Sequence, residues 1–264
     1  MGRNLLWRAR DEAEAEADAP PAGKVPQVRG FLQRNTWSDD PLDTAALDLI
    51  DADLKISFDR LSTPTVKTGP GLITTHLKNK AARVTIDDLQ LYEGRARGVL
   101  TLDGNNPVRA VVGGNMILDG VSALPLLTDL AQVDVLAGRA RISVALAGQG
   151  NTERQIIETM NGKAELSMAN GAVVGFSLPK LLQGLGQGRI PQIERVPTDK
   201  TDFSEFAGSA SIVNGVAQNQ DLRITTALTR VTGSVTINLP QRSLDYMLKP
   251  KLTGGQTIQI GQTS

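Results

Sequence analysis

The sequence predicts a mainly β protein, an antiparallel meander with three short helices. Two observations lead there: apolar residues recur at every second position in run after run, and Asx-Gly dipeptides punctuate those runs. In residues 47–58, Ile50, Ala52, Leu54, Ile56 and Phe58 fall on one side, with Asp51, Asp53, Lys55 and Ser57 on the other. Residues 139–146 set Ala140, Ile142, Val144 and Leu146 against Arg139, Arg141 and Ser143, and Val231, Val235, Ile237 and Leu239 oppose Thr232, Ser234, Thr236 and Asn238. Successive strand residues point to opposite faces, so each run makes one greasy face and one wet face.

Asp103-Gly104, Asp119-Gly120, Asn161-Gly162, Asn170-Gly171 and Asn214-Gly215 read as hairpin turns, because Asx and Gly accept positive φ cheaply. Residues 162–171 echo 208–215, each a Gly, a short strand and an Asn-Gly, which suggests a repeated strand-turn unit. Helices are expected near 122–131, 152–161 and 178–185. Thr152 and Gln155 fit a capping box ahead of Ile156, Ile157 and Met160. Ser122 is placed to cap a helix burying Leu124, Leu127, Leu130 and Ala131. Ser177, with Pro179 in the first turn, is placed to cap one carrying Leu178, Leu181, Leu182 and Leu185. Helices this short need a sheet to pack on.

The organisation read from composition is a charged helix or linker over 1–36, a β domain over 37–253 and a tail over 254–264. The first segment alternates acid with Ala from Asp11 to Asp18 and then meets Pro20-Pro21, with no persistent apolar face. The 264 residues carry 28 Lys and Arg against 28 Asp and Glu. That balance gives no electrostatic reason to bind nucleic acid. With no Cys and one His, the chain has no disulfide framework, no thiolate nucleophile and no usual zinc ligand set. Neither metal nor cofactor is expected. No window reaches the roughly 18 apolar residues that a spanning helix needs. The start is not a secretory signal, since no apolar stretch precedes Arg8 and Arg10, so a membrane anchor is expected upstream of the chain.

Candidate catalytic residues are sparse, and no enzyme activity is expected. His76 lacks a motif around it and reads as an exposed strand residue. Gly184, Gly186 and Gly188 follow a helix, whereas a phosphate loop opens one. Asp39-Asp40 and Asp87-Asp88 are adjacent pairs that a strand would send to opposite faces, so they read as solvated charges. No Gly-x-Ser-x-Gly occurs.

Several long stretches match a known pattern. Thr201 to Leu222 runs T-x-F, strand, N-G-V and D-L; Arg230 to Leu239 reads R-V-T-G-S-V-T-I-N-L; and Leu244-Asp245-Tyr246 closes the series. Upstream, Trp37 to Leu42 reads W-S-D-D-P-L and Leu91 to Gly98 reads L-Y-E-G-R-A-R-G. Over about 37–250 the chain resembles the C-terminal region of AsmA-family proteins. It departs at Ser234 and Glu93, where the family commonly has Gly.

The resemblance implies a bacterial envelope protein on the periplasmic side of the inner membrane that supports outer-membrane biogenesis. It also implies a curved, partly open sheet or groove that holds or conducts phospholipid. Burying acyl chains on such a face is worth about 0.8 kcal/mol per CH₂, so ten methylenes contribute on the order of 8 kcal/mol before ordering costs. The groove candidates are Ile142, Val144, Leu146, Leu166, Ile224, Val235, Ile237 and Tyr246. The partners expected are phospholipid acyl chains and envelope membrane proteins. The alternative is a membrane-anchored scaffold whose closed β domain regulates outer-membrane protein targeting or assembly. Alternation alone does not separate an open groove from a closed sandwich.

Removing residues 1–36 is expected to leave the melting temperature of the rest unchanged, because that segment offers no apolar face to bury. A fall of more than ~5 °C, on the order of 2 kcal/mol for a chain of this size, contradicts the expectation.

Overall fold

The computed structural model describes residues 37–44, 47, 51–61, 66–106, 109–131, 133–177, 180 and 196–253. Eleven strands pair in chain order to make one antiparallel sheet: β1 (Ala52–Phe58), β2 (Thr68–Lys78), β3 (Ala81–Leu91), β4 (Gly94–Asp103), β5 (Ala110–Ser122), β6 (Leu136–Gly150), β7 (Asn161–Val174), β8 (Lys200–Val213), β9 (Val216–Thr226), β10 (Thr229–Asn238) and β11 (Ser243–Leu252). β1 and β11 are free edges, so the sheet does not close into a barrel. Helix α1 (Ala123–Ala131) joins β5 to β6, and α2 (Glu153–Glu158) joins β6 to β7. The helix expected at 178–185 lies, apart from Lys180, outside the described residues, as does the Gly184 to Gly188 run.

Alternation predicted the strands well but misplaced most of the turns. Of the five Asx-Gly dipeptides only Asn214-Gly215 is a two-residue hairpin turn, with φ of 48° and 74°. Asp119-Gly120 and Asn170-Gly171 are bulges inside β5 and β7, where one strand spends an extra residue against its neighbour. Asn161-Gly162 opens β7, and Asp103-Gly104 begins a longer connection. Positive φ is what Asx-Gly supplies, and a bulge needs it as much as a turn does. Conversely, Asn79-Lys80 and Tyr92-Glu93 make tight hairpins at positive φ without any glycine.

The bulges have a common effect. Extra residues fall at Asp87-Asp88 in β3, Gly120 in β5, Asn170 in β7 and Ser204 in β8, near the end of each strand closest to α1. A bulge bends its strand and sharpens the local twist. Beside this bent end lies the core: Leu89, Leu91, Ala96, Leu118, Ala140, Met168 and Phe203 gather with Ala123 and Leu126 of α1. Leu126 is 2% exposed and Val121 0%. The face α1 buries is thus Ala123 and Leu126, with Leu127 packed alongside, while Leu130, expected inside, is 53% exposed. The helix starts directly from the last residue of β5, which fixes its rotation over the sheet one residue away from the expected stripe. The Ser122 hydroxyl donates to the Glu93 carboxylate at 3.1 Å.

At the opposite end of the strands α2 sits on β6. Thr152 caps it as expected, accepting from the Gln155 N–H at 3.2 Å, and Gln155 Oε1 reaches back to the Asn151 N–H at 2.7 Å. The helix can approach this closely because β6 ends in glycines. A Cβ on Gly148 would stand 2.6 Å from the Ile156 carbonyl oxygen, and one on Gly150 2.4 Å from the Gln155 Cβ.

Gly148→Ala is therefore expected to cost about 1–3 kcal/mol, read as a fall of several degrees in melting temperature. Gly69→Ala, whose Cβ meets nothing nearer than 3.4 Å, is expected to stay within about 0.5 kcal/mol. Equal effects at the two sites contradict this account of the β6–α2 contact.

Candidate functional site

One face of the sheet is predominantly apolar from edge to edge, and the pairing registers show how it is assembled. One row runs Ile56, Ile73, Ile86, Gly98, Met116, Val144, Ala164 and Ala210 across β1 to β8. A second runs Leu54, Thr75, Val84, Leu100, Gly114, Leu146, Gly162, Ile212, Ala217, Ile237 and Leu244 across all eleven strands. β9 carries one extra residue between Asn219 and Leu222, which keeps Ala217, Leu222 and Ile224 on the same face despite their odd spacing.

The eight groove candidates, Ile142, Val144, Leu146, Leu166, Ile224, Val235, Ile237 and Tyr246, all lie on this face. They span β6 to β11. The face also takes in β1 to β5 through Leu54, Ile73, Val84, Leu100 and Met116, whose alternation was equally visible in the sequence. It forms the floor of a trough. α1 stands over it at one end of the strands; at the other stand α2 and the segment from Trp37 to Leu42.

No second sheet of the described residues covers the floor. Val144, Leu146, Leu166, Val235 and Ile237 are half-buried by their neighbours in the same sheet, and toward the edges exposure rises to 48% at Ile56 and 47% at Tyr246. The closed sandwich is absent among the described residues. Glycines keep the floor low: Gly71, Gly98, Gly114, Gly162, Gly208 and Gly233 share this face, and a Cβ on Gly98 would stand 2.2 Å from the Asn115 carbonyl oxygen. Glycine is the residue that fits where neighbouring backbone comes this close.

The other face is polar and carries several ion pairs. Arg139 pairs with Glu93 at 3.0 Å, Arg141 with Asp119 at 3.6 Å and Arg223 with Glu205 at 2.8 Å. Asp221 accepts from the Ser209 N–H at 2.7 Å and hydroxyl at 2.9 Å, and the backbone donor does most to hold its carboxyl below the usual value. The bulge in β3 turns Asp87 toward Thr74, 2.6 Å away, and sets Asp88 3.7 Å from both Arg95 and Arg97. Both aspartates therefore serve the polar face, where a regular strand would have separated them. His76 is exposed as expected, but β1 gives it a partner that the sequence hid: Asp53 Oδ1 lies 2.6 Å from Nδ1, directly across the register. Among the described residues no group of three or more His, Asp or Glu is placed to hold a metal ion.

The Trp37 to Leu42 segment is a strap. Asp39 accepts from Arg154 Nε at 2.6 Å and Nη2 at 3.0 Å, the Leu42 N–H donates to the Asn151 carbonyl, and Trp37 Nε1 donates to the Leu239 carbonyl at 2.9 Å. One short run thus ties α2 to the β10–β11 turn, a contact across 202 residues that no local pattern announces.

The AsmA family profile matches residues 27–222. The chain belongs to the AsmA family. In this AsmA-family chain the matched stretch takes in the strap, the L-Y-E-G hairpin and the Thr201 to Leu222 pattern, while the resembling stretches in β10 and β11 lie beyond it. Family membership supports an envelope-associated function. No helix among the described residues is long and apolar enough to cross a membrane. No curated protein and no solved structure gives a significant match to the chain.

The strap carries a pH signature. The Arg154 hydrogen bond, more than its charge, holds the Asp39 carboxyl below its ordinary value of about 3.9. A depressed carboxylate pKa adds stability that is present above that ordinary value and is lost as pH falls through the folded-state pKa. Melting temperature measured from pH 7 to pH 3 should therefore fall less steeply on the acid side in Asp39→Asn than in the wild type. Identical slopes contradict an ion-paired strap.

Proposed function

We propose that the protein holds phospholipid acyl chains along its trough, as a non-catalytic envelope component supporting outer-membrane biogenesis. The observation carrying this reading is the continuous apolar floor with no second layer of described residues upon it. Such a face in water has to find apolar cover. Acyl chains are suitable cover, because they fill an irregular floor without needing hydrogen bonds, and head groups remain at the rim. Ten strand spacings of roughly 4.8 Å make the floor about 48 Å long from β1 to β11. A single leaflet's chains span about half of a hydrocarbon core of roughly 30 Å, so the floor has room for lipids in succession.

The side walls and ends differ in a way that suits conduction. α1, α2 and the strap stand at the two ends of the strands, whereas the free edges at β1 and β11 leave the apolar rows open lengthwise. On this reading the chain acts on the periplasmic side of the inner membrane. The polar face, which carries its own ion pairs, faces water.

A scaffold reading draws on one feature, the edge at β11. All ten residues of β11 are exposed, and an unpaired edge is a template for strand addition. Lys249, Pro250 and Lys251 blunt its last third, so only the stretch from Ser243 to Leu248 suits a partner strand.

Photocrosslinking residues placed singly at Ile142, Val144, Leu146, Leu166, Ile224, Val235, Ile237 and Tyr246 should yield phospholipid adducts in irradiated cells. Arg141, Ser143 and Thr236, on the polar face, should not. Val144→Asp should reduce adduct formation at the neighbouring positions more than it lowers the melting temperature, since a half-buried floor position does not seal the new charge from water. Equal labelling of both faces, or none in a folded protein, sinks the trough reading.

A further inference from the structure

β11 ends the sheet with one of its two hydrogen-bonding edges unused. The Thr253 N–H donates to the Leu228 carbonyl at 2.9 Å, and successive residues of an antiparallel strand bond to alternate sides, so the odd-numbered residues of β11 bond to β10. The N–H and C=O groups of Leu244, Tyr246 and Leu248 therefore point away from the sheet, and among the described residues no strand meets them. Pro250 falls on the same outward side, where its missing N–H costs the β10 ladder nothing. The strand is fixed at its start: the Arg242 guanidinium stacks 4.2 Å above the Trp37 ring, whose Nε1 donates to the Leu239 carbonyl.

Open edges are ordinarily blunted by charge or proline. In β11 Lys249, Pro250 and Lys251 do this only over the last third. Ahead of them Tyr246 and Leu248 lie on the floor face, opposite Val235 and Gly233, and Met247 lies on the polar face opposite Ser234. Met247 is the one apolar side chain that β11 gives to the polar face, and it is 58% exposed. On that same face Asp245 stands two residues before Met247 and Lys249 two residues after it, and among the described residues neither is ion-paired. Reversing the strand about Met247 exchanges acid for base, so β11 is its own complement.

We propose that β11 pairs antiparallel with β11 of a second copy of this chain, about a twofold axis at Met247. In that register each Asp245 faces a Lys249, each Tyr246 faces a Leu248, and the two Met247 side chains cover each other. Tyr246 and Leu248 exchange both of their outward backbone bonds across the junction. Leu244 donates to the Pro250 carbonyl, and the absent proline N–H ends the pairing there. An axis normal to the sheet keeps paired residues on one side, so the two apolar faces join: the row through Val235 and Tyr246 runs on into Leu248 and Gly233 of the second copy. The junction needs no lipid on the floor, and it gives to a second copy the edge that a scaffold would offer to a different protein.

A single strand junction is small beside a stable interface, so the full chain is examined by sedimentation equilibrium at concentrations up to roughly 100 µM. The wild type should show a monomer–dimer equilibrium. Asp245→Lys or Lys249→Asp, each setting like charges opposite, should weaken the dimer on the order of tenfold, and the two changes together should restore it. The chain has no cysteine, so Met247→Cys reads the register directly. Partners that are not hydrogen-bonded across an antiparallel pair lie about 4.5 Å apart at Cα, within disulfide reach. Copper-phenanthroline oxidation should therefore link Met247→Cys into covalent dimers and leave Ser243→Cys unlinked. All four positions are exposed, so folding should survive each change. A wild type that stays monomeric overturns the pairing; protection of the Leu244, Tyr246 and Leu248 amides from hydrogen exchange would then give the edge to the chain's own remaining residues, and their free exchange would leave it to a different protein. A dimer unmoved by Asp245→Lys, one not restored by the double swap, or a Met247→Cys dimer that does not link overturns β11 as the junction.

Discussion

Everything in this fold follows from one imbalance: the chain builds a wide sheet with a single apolar face, and its described residues cover only part of it. A sheet ordinarily buries its greasy side against a second sheet or a layer of helices. Here, among the described residues, helices of nine and six residues stand at opposite ends of the strands. The buried core is correspondingly local, gathered around Leu126, Val121 and Phe203 near α1. Between the ends, floor residues such as Val144 and Leu146 are half-buried, and no second sheet of the described residues lies on them. Among the described residues the tight packing thus sits at the ends of the strands, with a half-exposed apolar surface between them.

Shape comes from bulges and glycines acting together. Extra residues in β3, β5, β7 and β8 fall toward the α1 end, where they bend the strands over the core. The glycines of the inner face then relieve the crowding that bending creates, as at Gly98 against the Asn115 carbonyl. The same small residues keep the floor free of projecting side chains. A sheet filled with Leu and Ile at every inward position would be flatter, and its trough would already be occupied by its own side chains.

Period-two alternation made the strands and the apolar face legible, because a half-exposed strand writes its geometry directly into residue order. All eight groove candidates share one face for that reason. The turns were less legible: Asx-Gly reports a backbone at positive φ, not the reversal of the chain, so Gly120 and Asn170 looked like turns and are bulges. Leu130 was misjudged because the rotation of α1 is set by its junction with β5, which helical periodicity does not encode. The strap, the Asp53–His76 pair and the stacking of Arg242 on Trp37 join residues far apart in the chain. No spacing rule reaches across such gaps; only the register of the whole sheet brings the partners together.

The central claim is that the floor is covered by lipid in the working protein. The most direct measurement is the phospholipid content of the folded chain purified from its native membranes, quantified by mass spectrometry against protein. The account predicts at least one phospholipid per chain, displaced when charge is introduced on the floor at Val144 or Val235 and retained when it is introduced at Ser143 on the polar face. A folded protein that carries no phospholipid, or one whose lipid content responds equally to changes on either face, contradicts it.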